Sequence, residues 1–106
     1  MTQLEFIEQI IKEKEAVILD ANDKIWSYAE LPYEETRSSA LLCSILESEG
    51  FTVETGVAEI PTAFVARYVV GTGKPVMGIL GEFDALATLS QKAGCTVKDP
   101  VQNGGS

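Results

Sequence analysis

The segment PVMGILGEFDALATLSQ, Pro75 to Gln91, decides how the rest of the chain is read. Val76 to Leu80 is apolar on both faces, and a strand of that kind sits inside an α/β sheet with helices above and below it. Two carboxylates, Glu82 and Asp84, follow one residue apart. In open α/β sheets, ligands collect beyond the carboxyl ends of central strands, where the loops diverge. A central strand at 76–80 is therefore expected, with the acids at its mouth.

Working back from that strand, Gly71-Thr72-Gly73-Lys74-Pro75 has the composition of a turn. Its Gly-Thr-Gly-Lys falls short of a nucleotide-binding loop and precedes a strand rather than a helix, which rejects a phosphate role. Ala63 to Val70 alternates, with Phe64, Ala66, Tyr68 and Val70 on one side, and is expected to be a strand. Pro61 interrupts the chain before it. Phe51, Val53 and Thr55 alternate with Thr52, Glu54 and Gly56, the pattern of another half-buried strand. These two would flank the strand at 76–80 as its edges.

Further back the period becomes helical. Thr2 and Glu5 form a capping-box pair, and Ile7, Ile11, Ile18, Ile25 and Tyr28 continue an apolar stripe with Ile10, Val17 and Ala21 beside it. The spacing predicts a helix over 2–30, ended by Pro32, with Asn22 the place where it would break. A second helix is expected from Tyr33 to Glu49, with Glu34 and Glu35 at its positive end, Leu41, Leu42, Ile45 and Leu46 inward, and Gly50 as its left-handed cap. The fold class is α/β, two N-terminal helices packed on a small sheet of about three strands. Residues 1–106 make a single domain, and the polar residues 99–106 are expected to be a flexible tail.

Composition narrows the functional classes. With 8 basic and 16 acidic side chains among 106 residues, the net charge of -8 disfavours nucleic-acid backbones and anionic membrane surfaces. No apolar run approaches the roughly 20 residues that span a bilayer, so a cytoplasmic chain is expected. Cys43 and Cys95 match no zinc-ligand spacing and are read as reduced. Histidine is absent, which removes the commonest general base and metal ligand. Glu82 and Asp84 are the candidate catalytic residues: hard oxygen donors one residue apart can share a divalent cation, or one can act as a base. They can equally be a solvated loop entrance, and Asp84 before Ala85-Leu86-Ala87 suits a helix N-cap. Ile25, Trp26 and Tyr28 fit either a pocket wall or a core, and Arg67 either a substrate carboxylate or a surface acid.

The same residues carry a resemblance. GKPVMGILGEFDALATLSQKAGC (73–95), GFTVETGVAEIPTAFVARY (50–68) and IWSYAELPYEETRSSALLCSILESEGF (25–51) resemble the N-terminal part of the zinc-dependent aminoacylase and carboxypeptidase superfamily. Within it they are similar to the amidohydrolase branch typified by the aminobenzoyl-glutamate utilisation proteins. The resemblance runs from about Trp26 to Gln102, and its most specific piece is Gly81-Glu82-Phe83-Asp84-Ala85-Leu86, supported by Ile60 to Ala66. It implies the start of a larger metallohydrolase catalytic domain that cleaves amide bonds of N-acyl amino acids, dipeptides or aminobenzoyl-glutamate-like substrates. Zinc or another divalent ion is the implied cofactor, activating a water and polarising the scissile carbonyl.

By the same resemblance Glu82 aligns with the carboxylate that orients a metal ligand and Asp84 with the second acid of the loop. Ala87 stands where the family has proline, and the histidine-rich loop that supplies metal ligands lies beyond the residues present. No metal role is carried onto Cys95. The chain is expected to be the N-terminal part of such a hydrolase, inactive alone and prone to self-association. The rival expectation is a non-catalytic acidic α/β module that acts through a second copy or a partner chain.

Overall fold

A computed structural model describes residues 1–102, 104 and 105. Its elements are helix α1 (Gln3–Tyr28), helix α2 (Thr36–Ser48), strand β1 (Thr52–Thr55), a single 3-10 turn (Val57–Glu59) and strand β2 (Phe64–Arg67). The α/β arrangement of two helices on a small sheet is as expected, but the sheet has two strands where about three were predicted.

Helix α1 starts as the sequence dictates. The Thr2 hydroxyl accepts from the Glu5 amide and the Glu5 carboxylate accepts from the Thr2 amide, each at 3.1 Å, so two free donors are satisfied reciprocally. The helix runs unbroken through Asn22 and stops at Tyr28, because Ala29 turns left-handed (φ 45°) and donates back to the Ile25 carbonyl. Helix α2 begins three residues later than predicted. Its expected first turn is instead a tight turn from Leu31 to Glu34, with Tyr33 at φ 66° and Glu34 donating to the Leu31 carbonyl.

Gly50 closes α2 as predicted. At φ 95° it donates to Glu47 while Phe51 donates to Leu46, the paired bonds of a Schellman motif. The chain then enters β1, which pairs antiparallel with β2 in the register Thr52↔Arg67, Val53↔Ala66, Glu54↔Val65 and Thr55↔Phe64. Val53, Phe64 and Ala66 are half-buried and their neighbours exposed, as alternation requires. Phe51 and Tyr68, just outside the strands, pack with their rings tilted by 55° and centroids 5.3 Å apart.

The buried centre lies where α1, α2 and the hairpin meet, and its residues are small: Ala21, Ser38, Ser39, Cys43 and Thr62. Leu41, Leu42, Ile45 and Leu46, predicted to face inward, are half-buried. Burial pushes the Cys43 thiol up from its usual value, Ser39 opposing and Glu47 adding to the shift.

The segment 76–80 is the main departure. It forms no strand, and among the described residues none of its backbone groups takes part in a hydrogen bond. Ile79 is 100% and Leu80 92% exposed. A strand apolar on both faces needs cover on both faces and backbone partners alongside, and here α2 covers the β1–β2 hairpin while α1 packs on α2. No helix among the described residues is long and apolar enough to cross a membrane. Of the tail predicted at 99–106, residues 103 and 106 lie outside the described residues. Asp99 bonds Gln91 and Lys92, and the amides of Val101 and Gln102 donate to the Ser90 hydroxyl.

Candidate active-site crevice

The elbow between α1 and α2 is organised by one side chain that the sequence pattern passes over. Glu30 leaves the end of α1 and its carboxylate reaches the start of α2, accepting from the Ser38 amide at 2.7 Å, the Arg37 amide at 3.0 Å and the Thr36 hydroxyl at 3.2 Å. The Arg37 guanidinium lies 3.5 Å away and stacks over the Tyr28 ring at 4.5 Å. These are the amides a helix leaves unpaired at its N-terminus, and a carboxylate suits the positive end of the helix dipole. Glu30 thereby does the work expected of Glu34 and Glu35, neither of which makes a capping bond. Burial pushes its pKa up, but donation from the Arg37 and Ser38 amides and the Thr36 hydroxyl outweighs it and holds the group at about 2.

The Glu30 carbonyl does a second job. It accepts from the Ala85 amide at 2.7 Å, tying the Gly81–Leu86 segment to the elbow. Phe83 anchors the same segment on the other side, its ring 6.0 Å from that of Phe64 in β2. Between the elbow, this segment and residues 89–91 lies an open crevice of about 1130 Å³. Ile25, Trp26 and Tyr28 line one wall, so these aromatics belong to a crevice rather than a core. Arg67 does not join them; it pairs with Glu54 on the neighbouring strand at 3.2 Å, an exposed contact of little energetic weight.

Glu82 and Asp84 both line this crevice and are exposed. Neither side chain makes a hydrogen bond or ion pair among the described residues. Asp84 caps no helix, since none follows it among the described residues. With Glu30 and Glu34 the crevice carries four carboxylates and no lysine or arginine along its lining. Glu30 is already matched by Arg37 and the α2 amides, so the field of the remaining acids favours a cation. No group of three or more His, Cys, Asp or Glu side chains able to hold a metal occurs among the described residues. Glu30 was legible only as an acid at a turn; its distance of six residues from Thr36 gives no local signal of a cap.

No protein-family profile matches the chain, and no solved structure matches it significantly. A curated protein does: over 102 residues, 93% of this chain, it is 47% identical to the B subunit of p-aminobenzoyl-glutamate hydrolase from Escherichia coli (strain K12). The chain spans about a fifth, 21%, of that relative's length. The resemblance read from Gly81–Leu86 and its supporting segments thus holds along nearly the whole chain.

Proposed function

We propose that this chain supplies one wall of the active-site crevice of a metal-dependent amidohydrolase acting on N-acyl amino acids or aminobenzoyl-glutamate-like substrates. One observation carries the proposal: the most specific piece of the resemblance, Gly81–Leu86, is the segment that closes the crevice against the end of α1 and is tied there by the Ala85 amide. One of Glu82 and Asp84 orients a ligand of the metal, and the other adds to the field that holds the cation. Zinc or another divalent ion belongs to the complete protein. The side chains of this chain do not fit such an ion by themselves, since the crevice offers carboxylates alone and the sequence has no histidine. A cytoplasmic setting, in which Cys43 and Cys95 stay reduced, is part of the same proposal.

Grafting residues 1–102 of this chain in place of the matching segment of the E. coli relative is the test. The chimera is expected to hydrolyse p-aminobenzoyl-glutamate. Glu82→Gln or Asp84→Asn, whichever orients the ligand, should lower kcat by about 10- to 100-fold, the usual effect of removing a group that positions a metal ligand. Full activity with both changed would overturn the assignment. For the chain alone, titration with zinc is expected to show no stoichiometric uptake and p-aminobenzoyl-glutamate no turnover.

A further inference from the structure

The crevice has one wall whose chemistry its acids leave unused. Trp26, in the last turn of α1, lines the crevice and is 54% exposed. Among the described residues its ring pairs with no other aromatic and lies under no cation. Its neighbours on the same wall are taken up: the Tyr28 ring carries the Arg37 guanidinium at 4.5 Å, and Ile25 is half-buried. A broad planar face is thus left bare inside a concavity. It is also held in place, because the helix that carries it ends in a fixed turn, with the Ala29 amide bonded to the Ile25 carbonyl. Pockets that bind small organic groups combine such a rigid apolar face with a few polar groups, and an aromatic face favours a second ring laid on it over a saturated group of equal size.

An N-acyl amino acid offers this crevice two ends of different chemistry. The amino-acid end carries one carboxylate, or two for glutamate, and a carboxylate in a binding site is met by a lysine or arginine. No residue of either kind lines the crevice. The acyl end of an aminobenzoyl compound is a neutral ring whose amine donates hydrogen bonds. It suits a bare indole face, and the Glu34 carboxylate on the same lining has no ion-pair partner among the described residues. We infer that Trp26 selects an aromatic acyl group, the substrate ring lying on the indole face and the amino-acid carboxylates pointing away from this wall. The inference rests on the hydrolase proposal and adds to it which end of the substrate meets α1 and which side chain reads that end.

Trp26 is the sole tryptophan, so its indole N–H gives one unambiguous magnetic-resonance signal in the unaltered chain. Titration with 4-aminobenzamide, the neutral acyl end by itself, is expected to move that signal saturably. Cyclohexanecarboxamide, which has no π face, should bind about fivefold more weakly, and L-glutamate should leave the signal in place. A signal that 4-aminobenzamide does not move, that the saturated ring moves equally well, or that glutamate moves as readily, would overturn the inference. In the chimera with the E. coli relative, Trp26→Leu should raise KM for p-aminobenzoyl-glutamate about five- to tenfold with kcat within about twofold, the split expected of lost binding. Trp26→Phe keeps a stacking face and should hold KM within about twofold. An unchanged KM in Trp26→Leu would overturn the inference and leave the hydrolase proposal standing. A chimera without hydrolysis would count against that proposal, and the indole titration of the chain alone would then decide this one.

Discussion

Glu30 shows how much one side chain can settle at the residue scale. Its folded-state pKa lies below the ordinary 4.5, at about 2, so it stabilises the fold fully above the unfolded value and the contribution is lost as pH falls from about 4.5 towards 2. Allowing for screening at the crevice rim, that loss is roughly 2 kcal/mol. Urea unfolding followed between pH 6 and 2.5 should therefore show stability falling with acid in the native chain. In Glu30→Gln the stability at pH 6 should be lower by a similar amount, with this part of the acid dependence gone. Gly50 is the other decisive residue. At φ 95° an added methyl is strained whatever the space, and it would sit 3.3 Å from the Tyr68 ring. Gly50→Ala is expected to cost about 1–2 kcal/mol in the same unfolding measurement.

At the scale of elements, local signals were legible where local chemistry decides. The capping box of Thr2 and Glu5 placed the start of α1, Gly50 placed the end of α2, and period-two alternation placed β1 and β2. Thr2→Ala should reduce helicity near the N-terminus by removing a cap worth about 1 kcal/mol, read as faster amide exchange at Glu5 and Phe6. The late start of α2 was not legible, because the Glu30 carboxylate fixes it from the connection after α1 and no window within α2 contains that information. The segment 76–80 misled for the opposite reason. Its pattern encodes cover on both faces, and the chain as it stands provides none. The candidate acids were legible as a pair, while the choice between pocket wall and core for Ile25, Trp26 and Tyr28 stayed open until the end of α1 was seen to line the same crevice.

The whole molecule is open for its size. Its accessible surface is 8633 Å², against roughly 5,800 Å² for a compact monomer of this mass. Its radius of gyration is 16.8 Å, where compact packing would give about 13 Å. Small-angle scattering extrapolated to zero concentration should return a radius near the larger figure, and the solution should enhance the fluorescence of an apolar dye without denaturant. Surface of this kind belongs to a chain whose apolar faces meet further polypeptide, which agrees with its spanning a fifth of its curated relative. The tie from the Ala85 amide to the Glu30 carbonyl has its own corollary. A link made by main chain alone is indifferent to the identity of the residues it joins, so mutational drift at either end leaves the acid-bearing loop moored. Proline at 85 is the exception, for it deletes the hydrogen that forms the mooring.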